Sequence, residues 1–120
     1  MSILDAVMAM VEKHPDVSPQ QHSRLIQSAM EMFGSSGGLS GLMNNAHSQG
    51  LEHMVSSWIA SGPNQQASAD QVQKLVGQDR INQLANRVGL SSAVVSAALA
   101  RILPILVDKL TPHGNLPQAA

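Results

Sequence analysis

Apolar residues recur along this chain at intervals of three and four, and each run is cut by Gly, Pro or Ser. Ile3, Leu4, Val7, Met8, Met10 and Val11 predict a first helix over about residues 2–13. His14-Pro15 stops it, because the residue before a proline avoids the α conformation. Ser18, Pro19 and Gln21 then read as the start of a second helix: Ser as N-cap, Pro at the first helical position, Gln closing a capping box. Leu25, Ile26, Ala29, Met30 and Phe33 form its buried stripe, and Gly34 ends it. The stretch Gly34-Ser35-Ser36-Gly37-Gly38 reads as a flexible connector. Two short helices follow, over about residues 39–47 and 51–61, with Gly50 between them. Their openings echo each other, Gly38-Leu39-Ser40-Gly41-Leu42-Met43 against Gly50-Leu51-Glu52-His53-Met54-Val55, but two copies are too few for a solenoid. Leu51, Met54, Val55, Trp58 and Ile59 share one face of the second, which Gly62-Pro63 terminates.

The C-terminal half is punctuated more sharply. Ser68 and Gln71 form another capping box, ahead of Val72, Leu75 and Val76, and Gly77 closes that helix. Asp79 starts the next, with Ile81, Leu84, Ala85 and Val88 inward and Gly89 at its end. Ser91 caps a long last helix to about Leu110, where Leu110-Thr111-Pro112 stops it. Residues 115–120 read as a loose tail. No alternating segment predicts a strand. The fold expected is all-α: one domain over residues 1–120, a bundle of six or seven short helices around a long central C-terminal helix. Residues 79–110 form a helix-turn-helix-like pair within it.

Composition narrows the function classes. Apolar residues make up 43% and charged residues only 12%, about half the usual charged share. A net charge of −1 gives no broad basic field for nucleic acid. With no Cys there is no disulfide framework, thiolate metal site or cysteine nucleophile. The N-terminus lacks a basic n-region, and Asp5 and Glu12 interrupt its apolar stretch, so a signal peptide is not expected. The segment Val94–Val107, broken by Arg101 and Pro104, is too short for a membrane span. A cytoplasmic protein is the expectation.

A set of short motifs resembles the YidB-like family of bacterial proteins. These are Ser57-Trp58-Ile59-Ala60-Ser61-Gly62-Pro63-Asn64, then Ser68, Gln71, Leu75 and Gly77, then Gly89-Leu90-Ser91, Leu103-Pro104 and Leu110-Thr111-Pro112-His113-Gly114. They occur in order at family-like spacing over residues 38–117. Ala60 replaces the family's usual Gly, and His113 its usual acidic residue. The resemblance implies a compact all-α domain and carries no particular activity with it. Read physically, the motifs are structural anchors: Trp58 for its buried area, Gly62 and Gly89 as helix stops, Asn64 for turn hydrogen bonds, Pro104 and Pro112 as helix punctuation.

Candidate chemistry is sparse. The pattern Leu84, Ala85, Val88, Gly89, Leu90, Val95, Ala98 fits a helix-turn-helix. The side chains that would enter a groove are Ser91, Ser92, Ala93, Ser96, Ala97 and Ala100. None is Arg, Lys, Asn or Gln, the residues that read bases bidentately, and Arg80, Arg87 and Arg101 are scattered. Met8/Met10 and Met30/Met32 point about 200° apart on a helix, so neither pair converges on a soft metal. The His residues (His14, His22, His47, His53 and His113) include no i,i+4 pair. The Gly-rich run 34–41 lacks the Lys-Ser/Thr ending of a phosphate loop. There is no Gly-x-Ser-x-Gly elbow, and no acids are paired on a helix face. No catalytic residue, cofactor or metal is assigned.

The expected function is therefore non-catalytic protein–protein interaction, with a degenerate, weak DNA-binding helix-turn-helix as the alternative. Met8, Met10, Met30, Met32 and Phe33 are the expected contact surface, since Met repacks readily. On this reading residues 2–33 form the more mobile part and meet an unknown partner or a second copy of the chain. The rival reading has them roof the last helix.

Overall fold

The computed structural model describes residues 3–34, 38–59 and 64–111, and within them the chain is all helical. Seven helices follow in order: α1 (Ile3–Met10), α2 (Pro19–Gly34), α3 (Gly38–Ser48), α4 (Glu52–Ile59), α5 (Ala69–Val76), α6 (Gln78–Val88) and α7 (Ser92–Leu110). Helix α7 is the axis. Val95, Ala98, Leu99, Ile102, Leu103, Leu106 and Val107 are all buried, and with Ser96 and Pro104 they take up roughly two thirds of its circumference at about 100° per residue. A helix apolar around most of its circumference has to be covered on several sides. α1, α2, α4, α5 and α6 pack against it, while α3 lies outside, on α2, α4 and α5.

Local chemistry sets the helix starts. Ser18 Oγ accepts from the Gln21 N–H at 3.1 Å while Gln21 Oε1 accepts from the Ser18 N–H at 3.0 Å. Ser68 and Gln71 repeat the arrangement ahead of α5. Ser91 accepts from the Val94 N–H at 3.2 Å and starts α7. Each cap satisfies a donor that a helix N-terminus would otherwise leave bare, typically about 1 kcal/mol. Gly89 takes the left-handed conformation, φ +74°, and turns the chain so that α6 and α7 meet at 99°. Gln21 Nε2 reaches the carbonyls of Val88 and Gly89, both at 3.3 Å, and so ties α2 to that turn. Asn45 Nδ2 ties α3 to the end of α5 through Leu75 O, at 3.0 Å.

Two expectations are corrected here. The N-terminal helices roof α7: Val7, Leu25, Ile26 and Ala29 have no exposed area, and Val11 is also buried. They lose this much surface because α7 has no other cover on that side. Gly38 is also no part of a slack connector. It opens α3 so close to α2 that a Cβ there would lie 2.5 Å from Met32 O and 2.8 Å from Phe33 Cα. Residues 35–37 of the connector, Gly62 and Pro63, and residues 112–120, including Pro112, His113 and the tail, lie outside the described residues. The echo between Gly38 and Gly50 has no structural counterpart, since Gly50 is a left-handed break, φ +73°, and Gly38 is helical.

Among the polar groups drawn into this packing is His22, on α2. Burial, reinforced by the positive charge of Lys13, pushes its imidazole below the ordinary value of 6.5. The unfolded chain takes up a proton near that ordinary value and the folded chain resists it, so this group lowers stability as pH falls below 6.5 and its effect levels off under the depressed value. The urea midpoint should therefore fall between pH 7.5 and 5.5, and fall less in His22→Gln; equal falls in both proteins would clear His22 of the effect.

Trp58 has no exposed area, and its indole N–H donates to Gln65 O at 2.8 Å. Trp58→Ala is expected to lose about 3–5 kcal/mol in urea unfolding, as a large core truncation. Trp58→Phe should lose less, since it keeps most of the ring volume and forfeits the hydrogen bond. A Trp58→Ala protein that melts within a degree or two of the parent would contradict this burial.

Candidate functional site

Among the described residues, one stretch of α7 is faced by irregular chain rather than by a helix. Ala97, Ala100, Arg101, Pro104 and Ile105 stand at spacings of three, four, seven and eight and therefore share a face. Opposite them runs the irregular segment 64–68, which connects α4 to α5, and between the two lies a cleft of about 520 Å³. That volume is within the range of small-ligand sites. His14, just after α1, closes one side.

The end of α4 holds this segment off α7. Ser57 Oγ donates to Met54 O at 2.6 Å, one turn back, and accepts from the Gln65 N–H at 3.0 Å. Trp58 takes the other backbone group of Gln65 through its indole N–H. Both hydrogen-bonding groups of one residue are thus fixed by adjacent side chains of one helix. Asn64 Nδ2 completes the clamp by donating to Pro104 O, in the middle of α7, at 3.1 Å. The opposing wall is low because Ala97 and Ala100 carry only methyl groups.

Two acceptors in this region lack an ordinary donor. Asn64 Oδ1 is buried with no hydrogen-bond partner among the described residues, a condition that costs about 1–3 kcal/mol. Pro104 has no N–H, so the carbonyl of Ala100 loses the donor that an uninterrupted helix would supply four residues on. The charge at the cleft is positive. Arg101 is exposed and donates from Nη1 to Lys13 O at 3.3 Å. Lys13 in turn donates from Nζ to the carbonyls of His14 and Val17. His14 Nδ1 accepts from the Asp16 N–H at 3.0 Å, which leaves the ring proton on Nε2. Among the described residues, no Asp or Glu lines the cleft.

Of the residues singled out from sequence, Trp58, Asn64 and Pro104 meet here, while Gly89 turns the chain elsewhere, between α6 and α7. The methionine surface is smaller than its sequence pattern suggests. Met10 is 54% exposed, whereas Met8, Met30 and Met32 are half-buried against the core. Phe33 is corrected from surface to core at 1% exposure, because its face of α2 lies inward with Leu25, Ile26 and Ala29. Sequence reasoning missed Arg101, His14, Gln65 and Gln66 as members of one site. A signal was present in Arg101, a cation in the middle of the mostly apolar α7, one turn from both Ala97 and Ile105. Among the described residues, no three His, Asp or Glu side chains are grouped to hold a metal ion. No single helix among them is long and apolar enough to cross a membrane.

Comparison with known proteins agrees with the motifs. Residues 23–119 match the family described as YidB-like protein, so the match reaches back into α2, further than the resemblance from residue 38 onward. The uncharacterised protein YidB of Escherichia coli K12 is 30% identical over 95 residues, covering 78% of this chain and 72% of the relative. No solved structure matches. The all-helical fold, the ordered motifs and a match over most of the sequence place this chain in the YidB-like family.

Proposed function

We propose that this domain is a non-catalytic binding module and that its contact face is the cleft between α7 and segment 64–68. The observation that carries the reading is the exposed Arg101 guanidinium set in a concave site whose described lining residues include no carboxylate. The titratable side chains lining the cleft are a guanidinium and an imidazole, a set suited to holding an anionic group. The methionine set contributes Met10 as its one largely exposed member.

The DNA-binding reading draws on the 99° angle between α6 and α7 and on the left-handed Gly89, which suit a helix-turn-helix. Burial argues against it. Ser96, which would face the groove, has no exposed area and bonds Gln73 of α5 at 3.3 Å. Ser92 is engaged with Asn82 at 2.7 Å. α5 thus occupies the side that a duplex would need.

Site-specific photocrosslinking in living bacterial cells tests the binding-module reading. A benzophenone side chain at Gln66, in the cleft, is expected to capture a discrete protein. The same probe at the exposed Gln83 on α6 should not, and Arg101→Glu should reduce the yield from position 66. An adduct with a second copy of the chain would make the interaction self-association. No adduct, or equal yields from both positions, would overturn the proposal.

A further inference from the structure

We infer that the cleft binds an extended peptide segment with an acidic side chain, its carboxylate on Arg101 and its backbone along Gln66 and Ala67. The inference rests on the cleft being the binding face and adds the chemical class of what fills it. Two observations converge on that class. The first is charge: Arg101 is exposed and donates to the backbone carbonyl of Lys13, His14 shares the cleft with it, and among the described residues no acid lines the cleft. A guanidinium in that setting favours a carboxylate, which it can hold through two parallel N–H bonds.

The second is the wall itself. Among the described residues, no hydrogen bond engages the backbone N–H or C=O of Gln66 or Ala67, whereas both groups of Gln65 are fixed by Ser57 and Trp58. A short irregular run with free backbone groups, braced from behind, can pair with another extended chain. The small Ala97 and Ala100 leave room for that chain to lie against α7.

The test is an NMR titration of the full chain, ¹⁵N-labelled, with capped pentapeptides: acetyl-Ala-Ala-Xaa-Ala-Ala-amide, with Xaa as Glu, Gln or Lys, and with free glutamate as a separate arm. The Glu peptide is expected to shift the amides of Gln65, Gln66, Ala67 and Arg101 and the Asn64 side-chain NH₂, with low-millimolar affinity or better. The Gln and Lys peptides should bind more weakly, and Arg101→Gln should weaken the Glu peptide roughly tenfold or more. Arg101 is exposed, so the variant keeps the fold, and its unshifted core amides will verify that. Three results would overturn the inference: no shifts at the cleft, equal binding of all three peptides, or free glutamate binding as well as the peptide. If these fail while the crosslink from position 66 stands, the acidic peptide is wrong and the binding face is kept.

Discussion

A central helix that is apolar around most of its circumference constrains everything else in this molecule. α7 carries Val95, Leu99, Ile102, Leu103, Leu106 and Val107 with no exposed area. Burying one such side chain is worth about 1.5–3 kcal/mol, so the chain is driven to wrap α7 with whatever helices it has. Short helices do this well because each covers one sector. Their polar ends are then tied by caps and by single long-range bonds, such as Gln21 to the α6–α7 turn and Asn45 to the end of α5. The Glu31–Arg87 ion pair and the His47–Glu52 hydrogen bond are exposed and contribute little.

Among the described residues, one sector of α7 is faced by irregular chain and holds the cleft. Over Ala97, Ala100, Arg101, Pro104 and Ile105 the cover is an irregular segment, braced on α4 by Ser57 and Trp58 and tied to α7 by Asn64. The most buried aromatic residue therefore has two duties: its ring fills the core and its N–H braces the wall of the cleft. Pro104 has two as well. It accepts from Asn64 and strips the Ala100 carbonyl of its helical donor.

Features set by local chemistry were readable in the sequence. The capping pairs Ser18/Gln21 and Ser68/Gln71 act over three residues, and Gly89 stops a helix by its own φ. The central burial of α7 was readable too, because its apolar residues leave no polar face. The cleft was not. It depends on Asn64 meeting Pro104 forty residues away, and on Arg101 meeting Lys13 across eighty-eight. Nothing in either neighbourhood announces such a pairing. Phe33 illustrates a further limit. An apolar stripe marks a side that wants cover, but periodicity does not say whether the cover comes from the same chain or another.

Native-state hydrogen exchange tests most directly whether α7 is the axis on which the rest depends. If it is, the amides of Leu99, Ile102, Leu103 and Leu106 exchange only through global unfolding, with the free energy that denaturant titration gives. Gln66 and Ala67 exchange far faster, through local opening or directly to solvent. Central α7 amides that opened at a clearly lower free energy than global unfolding, while α2 or α3 stayed protected, would show that the core is organised elsewhere and would contradict the account.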